Sequence, residues 1–126
     1  MKAKRTIAIF ITLILVLGIL PAQAASTTPW KTIYVSTTGS DSGDGTSSNP
    51  FKTLERAQEA VREINSNMQG DIVIEVAKGT YYLDEPLSFR EEDSGRNGHR
   101  VIWRGIDRPV ISGGEEISGF IPSVEH

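Results

Sequence analysis

An ordered block between Tyr34 and Phe89 constrains the fold of this chain more than any other sequence feature. It opens with a short strand-like run at 33–35, followed by a loop of Gly, Ser, Thr and Asp at 37–49. An amphipathic helical pattern comes next. After Gly70 the apolar period changes from about 3.6 residues to 2, which marks a switch from helix to strand. Strand-like runs then recur without another helical pattern, so the order predicts one helix set against a series of strands.

The predicted helix has a single apolar stripe. Either Asn49, with Pro50 at the first helical position, or Thr53 is expected to cap its start. Polar residues at 65–67 are expected to end it. The positions that share one face, at spacings of three and four, are Leu54, Ala57, Val61 and Ile64. The residues expected to face water are Glu55, Arg56, Glu59, Arg62 and Glu63.

Residues 1–24 have the three parts of a secretory signal peptide. Basic residues precede an apolar stretch from Ile7 to Leu20, and Ala22-Gln23-Ala24 is a small-residue cleavage site. The stretch is shorter than the roughly 20 apolar residues that span a membrane, although an uncleaved anchor stays open as the alternative. Residues 25–31 are predicted to be a flexible leader. The protein is therefore expected to be secreted, whether to the extracellular space, the periplasm or the cell surface.

The charge of the exported chain argues against two classes of partner. Cleavage after Ala24 would leave 10 basic against 16 acidic side chains, a net charge of −6. Nucleic acids and anionic membranes both require basic patches, so we expect neither as a partner once the signal is removed. The chain has no cysteine, which excludes a stabilising disulfide and a lipid-modified cysteine. We expect a monomer.

A weak internal repeat emerges when the chain is offset by 28 residues. The offset aligns Gly70 with Gly98, Val73-Ile74 with Val101-Ile102, Tyr82-Leu83 with Val110-Ile111, and Phe89 with Ile117. A strand repeat of this length indicates a solenoid whose turns stack on one another, although pairs of Val and Ile also align by chance. In that register Ile74 and Ile102 point inward, and Glu75 and Trp103 point outward. The helix would then cover the exposed edge and open end of the first turn.

Motifs that carry a family resemblance extend through nearly all of residues 32–126. They include Tyr34-Val35-Ser36, Gly39-Ser40-Asp41, Gly45-Thr46, Asn49-Pro50-Phe51, Gly79-Thr80-Tyr81-Tyr82-Leu83 and Pro109-Val110-Ile111-Ser112-Gly113-Gly114. In this order they resemble the opening of the pectate-lyase-like, carbohydrate-active proteins. The resemblance implies an all-β fold, a right-handed parallel β-helix (solenoid). Residues 32–126 would hold its N-terminal capping α-helix and its first one or two coils, and the chain is expected to be truncated.

The same resemblance implies a function in polysaccharide degradation, with a polysaccharide or oligosaccharide as partner. A glycoside hydrolase is favoured, because Asp93-Ser94-Gly95 and Ile111-Ser112-Gly113-Gly114 resemble the hydrolases of the group more than its lyases. A calcium-dependent, pectate-type polysaccharide lyase and a non-catalytic cell-surface adhesin or binding protein are the alternatives. The resemblance places catalytic residues downstream of residue 126. No catalytic, cofactor-binding or metal residue is therefore assigned here. No cofactor is evident, and calcium stays open for the full-length protein.

The run Asp41-Ser42-Gly43-Asp44-Gly45 is open to two interpretations. Its carboxylates and glycines are typical of a calcium loop, but Lys52 occupies the twelfth position, where an EF-hand requires glutamate. Asp and Gly are also common turn residues, and a turn is the favoured interpretation.

The other candidate residues are expected to have structural or surface positions rather than functional roles. Glu91-Glu92-Asp93 and Glu115-Glu116 are expected in solvated loops, since adjacent carboxylates rarely converge on one glycosidic bond. His99 and His126 are expected at the surface, without enough neighbouring ligands for a metal. Tyr81 and Tyr82 should face opposite sides of a strand, one toward the core. Trp103 is expected to pack against the protein rather than to form a sugar-stacking surface. Scattered surface charge is the favoured interpretation of Arg96, Arg100, Arg104 and Arg108.

Overall fold

The computed structural model describes residues 28–115. The predicted signal peptide, Glu116 and His126 lie outside the described residues. The elements follow in the order β1 (Lys31–Val35), α1 (Leu54–Ile64), β2 (Ile72–Val76), β3 (Thr80–Tyr82), β4 (Val101–Gly105) and β5 (Val110–Ser112). Short 3₁₀ turns lie at Asn65–Asn67 and Glu91–Asp93. Between residues 28 and 115, no helix has the length and apolar character needed to cross a bilayer.

The strands form two separate parallel ladders. β2 lies between β1 and β4 in a three-stranded sheet, and β3 pairs with β5 in a two-stranded sheet. Parallel neighbours need long crossover connections. Here α1 lies in the connection from β1 to β2, and β3 lies in the connection from β2 to β4. A unit of a longer strand, a turn and a shorter strand therefore occurs twice, as β2–β3 and then as β4–β5.

The predicted 28-residue register is wrong by one residue in the larger sheet and by two in the smaller one. Ile74 lies opposite Trp103, an offset of 29, and Tyr81 lies opposite Ile111, an offset of 30. A slip of one residue exchanges the two faces of a strand. Trp103 therefore shares the core-facing side of Ile74, whereas Ile102 lies on the opposite face.

The two offsets differ because the second turn is one residue longer. Three residues, 77–79, join β2 to β3, whereas four residues, 106–109, join β4 to β5. The longer turn is accommodated by a left-handed backbone at Asp107 (φ 54°) and Arg108 (φ 59°). Such conformations are uncommon outside glycine, although aspartate adopts them more often than most residues.

The helix packs its predicted apolar stripe on the larger sheet. Leu54, Ala57 and Val61 are fully buried, and they form one core cluster with residues of β1 and β2. Ile64 packs against the margin of this cluster. The sheet residues in the cluster are Ile33, Val35, Ile72, Ile74 and Val76.

The structure selects between the two predicted N-caps and corrects the predicted exposure of two arginines. Thr53 rather than Asn49 is the N-cap: its hydroxyl accepts a hydrogen bond from the Arg56 backbone N–H at 3.2 Å. Arg56 and Arg62 are half-buried rather than solvated. The Arg56 guanidinium lies 4.7 Å from the centroid of the Phe51 ring, which is within cation–π range.

The outer edge of β1 is covered by the loop that follows it. The Tyr34 N–H donates to the Gly45 carbonyl at 2.8 Å, and the Phe51 N–H donates to the Tyr34 carbonyl at 2.9 Å. The Ser36 N–H then donates to the Phe51 carbonyl at 2.9 Å. An edge strand with free backbone groups invites association with another strand, and here the loop supplies the missing partners. The covering of an open end by the helix stays a prediction.

Substitution of Gly45 tests this edge contact. Gly45 has a φ of 73°, and a Cβ at this position would lie 2.5 Å from the buried Phe51 ring. We expect Gly45→Ala to lower the free energy of unfolding by about 1–3 kcal/mol, since the residue would be strained in a sparsely populated backbone region. Urea denaturation measures the change. Gly113→Ala is the matched control, because nothing lies within 4 Å of its added Cβ. Equal stability of the two variants would contradict the assignment.

Candidate functional site

Strand alternation places two adjacent tyrosines on opposite sides of β3. Tyr81 is 5% exposed and belongs to the core cluster, whereas Tyr82 is 48% exposed. The prediction that one faces the core and one the surface is confirmed. Tyr82 therefore presents an aromatic ring to solvent from within a paired strand.

Tyr81 fixes the orientation of this strand. Its hydroxyl donates to the Ala77 carbonyl at 2.8 Å, and the ring is buried among apolar side chains. Burial raises the pKa of the Tyr81 hydroxyl, so it stays a neutral donor. Because consecutive strand residues point to opposite faces, this anchor holds Tyr82 outward.

Tyr82 lies between two open grooves. The first groove, of about 310 Å³, separates β3 from the start of α1, and the second, of about 520 Å³, lies toward the end of β5. The first groove is lined by Thr37, Lys52, Thr53, Leu54, Glu55, Thr80, Tyr81, Tyr82 and Leu83. The second is lined by Tyr82, Leu83, Asp84, Gly113, Gly114 and Glu115. We call these two linings together the Tyr82 surface.

Asp41 holds the first groove in shape. One of its carboxylate oxygens accepts from the backbone N–H groups of Lys52 and Thr53, both at 2.9 Å. The other oxygen accepts from the Thr53 hydroxyl at 3.0 Å. Thr53 in turn caps α1, so Asp41 joins the loop to the helix start that forms the wall of the groove. The sequence singled out Asp41 as a turn residue or calcium ligand and missed this role.

The turn interpretation also fits Asp44. Its carboxylate accepts from the Thr46 hydroxyl at 2.7 Å and from the Thr46 N–H at 3.1 Å. These bonds, the side-chain bond first, lower the pKa of Asp44. Within residues 28–115 no three His, Asp or Glu side chains are grouped closely enough to hold a metal ion.

The expectation of a solvated loop at 91–93 is wrong for one of its three acidic residues. Asp93 is buried, and its two oxygens accept from the Arg62 guanidinium at 2.6 and 3.0 Å. It also accepts from the Arg90 N–H at 2.8 Å. Glu91 and Glu92 are exposed as predicted. The Arg62–Asp93 pair connects α1 to the segment after β3. The hydrogen bond from Arg62 is the main cause of the lowered pKa of Asp93.

Two of the four arginines are paired across strands rather than scattered. The Arg100 guanidinium lies 2.9 Å from the Asp71 carboxylate, and the Arg104 guanidinium lies 3.5 Å from Glu75. Each pair joins positions that face one another at or beside β2 and β4. Hydrogen bonds from Arg100, the backbone N–H first, lower the pKa of Asp71.

The remaining candidate residues, apart from Glu115, lie outside the Tyr82 surface. Trp103 packs against the core cluster, and the Phe89 ring meets it edge-to-face at 5.5 Å, so the prediction of packing is confirmed. His99 is half-buried rather than fully exposed. Glu115 is exposed as predicted, but it lines the second groove.

Comparisons with known proteins provide one informative likeness. No family model matches this chain, and no curated protein matches it. Among solved structures the chain is similar to a glycoside hydrolase, with 34% identity and a TM-score of 0.65 over 74% of this chain and 16% of that one. It is also similar to a rhamnogalacturonan lyase, with 27% identity and a TM-score of 0.44 over 64% of this chain and 21% of that one. The chain thus spans 16% and 21% of the lengths of these proteins.

The Arg62–Asp93 pair predicts how stability depends on pH. The pKa of Asp93 is lowered in the folded protein, so the pair contributes stability above the ordinary carboxyl pKa of about 3.9 and loses it as pH falls through the lower folded value. We expect Asp93→Asn to be less stable than the wild type at about pH 6, with a difference that shrinks toward pH 3. Urea denaturation across this range measures it.

Glu91→Gln is the control for that experiment, because Glu91 is an exposed carboxylate in the same turn. Its unfolding profile should follow that of the wild type. Parallel pH profiles for Asp93→Asn and the wild type would contradict the assigned pair.

Proposed function

We propose that this chain is the N-terminal part of an exported carbohydrate-active protein of the glycoside hydrolase type, built as a right-handed parallel β-helix. The likeness to a glycoside hydrolase carries the proposal, because it combines 34% identity with a TM-score of 0.65 over 74% of the chain. The two parallel ladders and their repeated strand–turn–strand unit support the proposed fold.

In this proposal the Tyr82 surface binds a polysaccharide chain. Aromatic rings offer a flat apolar face, and binding sites combine such faces with a few polar groups that fix orientation. Tyr82 supplies the ring at the boundary of the two grooves. Thr37, Thr80 and Lys52 supply hydroxyl and ammonium groups in the first groove, and Asp84 supplies a carboxylate in the second. A sugar stacked on Tyr82 would extend into both grooves.

The proposal assigns binding, not bond cleavage, to residues 28–115. A glycosidase needs two carboxyl groups on either side of the scissile bond, one of them with a raised pKa so that it acts as an acid. The pKa values of Asp44, Asp71 and Asp93 are instead lowered by hydrogen bonds. The likeness covers 16% of the hydrolase, and we place the cleaving groups elsewhere in the full protein.

Replacement of Tyr82 tests the binding role. We expect the purified chain to be retarded in native gels that contain a neutral polysaccharide from a panel of xylan, glucomannan, β-glucan and arabinan. Tyr82→Ala should weaken polymer binding about fivefold, since stacking on an aromatic ring contributes roughly 1 kcal/mol. It should leave the midpoint of thermal unfolding nearly unchanged, because Tyr82 is half exposed.

Phe89→Leu is the matched control. Phe89 is 56% exposed but lies outside both grooves, against Trp103. The Phe89→Leu variant should bind the polymer as tightly as the wild type does. Equal loss of binding in both variants, or no retardation by any polysaccharide, neutral or acidic, would contradict the proposed role.

A further inference from the structure

The Tyr82 surface carries an excess of negative charge. Its charged residues are Lys52 and Glu55 in the first groove and Asp84 and Glu115 in the second. All four side chains are exposed. Three carboxylates against one ammonium group leave a net charge of −2 on the two linings together.

The charge is concentrated in the second groove. Asp84 and Glu115 are its charged lining residues, with no lysine or arginine beside them in the lining. The six ion pairs found within residues 28–115 include neither of these carboxylates. On the larger sheet, by contrast, Asp71 is paired with Arg100 and Glu75 with Arg104. The second groove therefore presents two carboxylates without a counter-charge among its lining residues.

We infer that the Tyr82 surface accepts uncharged sugar residues and rejects polyuronates, because unneutralised carboxylates of the second groove would face the carboxylates of the polymer. The inference rests on the proposed function of this surface and adds the chemical class of its ligand. A neutral sugar presents hydroxyl groups that can donate hydrogen bonds to Asp84 and Glu115. A uronate residue in the same place would bring a like charge without a counter-charge from the protein.

The size of the effect is set by the exposure of the groove. Two like charges about 4 Å apart in water disfavour binding by about fivefold. Added salt weakens such repulsion, since the Debye length falls from about 30 Å at 0.01 M to about 3 Å at 1 M. The discrimination against a uronate polymer is thus expected to be strong at low salt and small at high salt.

Polymers that differ only in charge provide the test. Polygalacturonate and glucuronoxylan are each compared with the carboxyl-reduced form of the same polymer, in native gels at about 0.01 M and 0.5 M salt, alongside the neutral panel. We expect neutral polymers, reduced or native, to retard the chain at both salt concentrations. The acidic forms should bind at least fivefold more weakly at low salt and approach their reduced forms at high salt.

A charge-neutralised variant ties the effect to the groove. Asp84→Asn/Glu115→Gln should bind the acidic polymers about fivefold more tightly at low salt, with binding of the neutral polymers unchanged. Glu63→Gln/Glu91→Gln removes the same number of charges from exposed positions outside both grooves and should leave both affinities unchanged. An equal gain in the two variants would assign the effect to net charge and overturn the inference.

The remaining outcomes separate the two proposals. Binding of neutral polymers, with binding of the acidic forms at least fivefold weaker at low salt and recovered at high salt, supports the inference. Binding of a uronate polymer at low salt as tight as that of its reduced form overturns the inference and leaves the proposed function standing. Retardation by none of the polymers, acidic or neutral, overturns the proposed function and the inference with it.

Discussion

The shared register of three parallel strands is the constraint on which the rest of the structure depends. It aligns Ile33, Ile74 and Trp103 in one row on the core-facing side of the sheet. That row forms the surface on which the apolar stripe of α1 packs. Parallel strands also require long connections, and these connections carry the helix, the Asp41 loop and β3. Most of the Tyr82 surface is therefore built from the crossovers, and residues after β5 complete its second groove. The ladder fixes where each crossover begins and ends.

The loop after β1 links the stability of the sheet to the shape of the candidate site. Its backbone at Gly45 and Phe51 supplies hydrogen-bond partners to the outer edge of β1. Its Asp41 carboxylate accepts hydrogen bonds from the residues that precede α1. One segment thus closes the sheet edge and builds a wall of the first groove. A composition of Gly, Ser, Thr and Asp suits this dual role, because such residues form tight turns and offer short polar side chains to nearby N–H groups.

Sequence patterns predicted the local features well and the long-range ones poorly. The helix stripe at Leu54, Ala57 and Val61 and the opposed tyrosines follow from the periods of helix and strand, which are local properties. The register was missed because Val and Ile pairs align equally well at offsets of 28 and 29, and because the turn at 106–109 holds an extra residue. The Arg62–Asp93 pair and the hydrogen bond from the Thr53 N–H to Asp41 join residues 31 and 12 positions apart. No periodicity encodes such contacts.

The proposed place where a sugar chain binds is the exposed side of β3. Chemical-shift mapping of the ¹⁵N-labelled chain with a neutral hexasaccharide from a binding polymer tests this most directly, because it locates the ligand without a substitution. We expect perturbed amide signals at Thr80, Tyr82 and Gly113, with little change around Tyr34, which lies outside both grooves. Perturbations centred on Tyr34, or on none of these residues at saturating sugar, would contradict it.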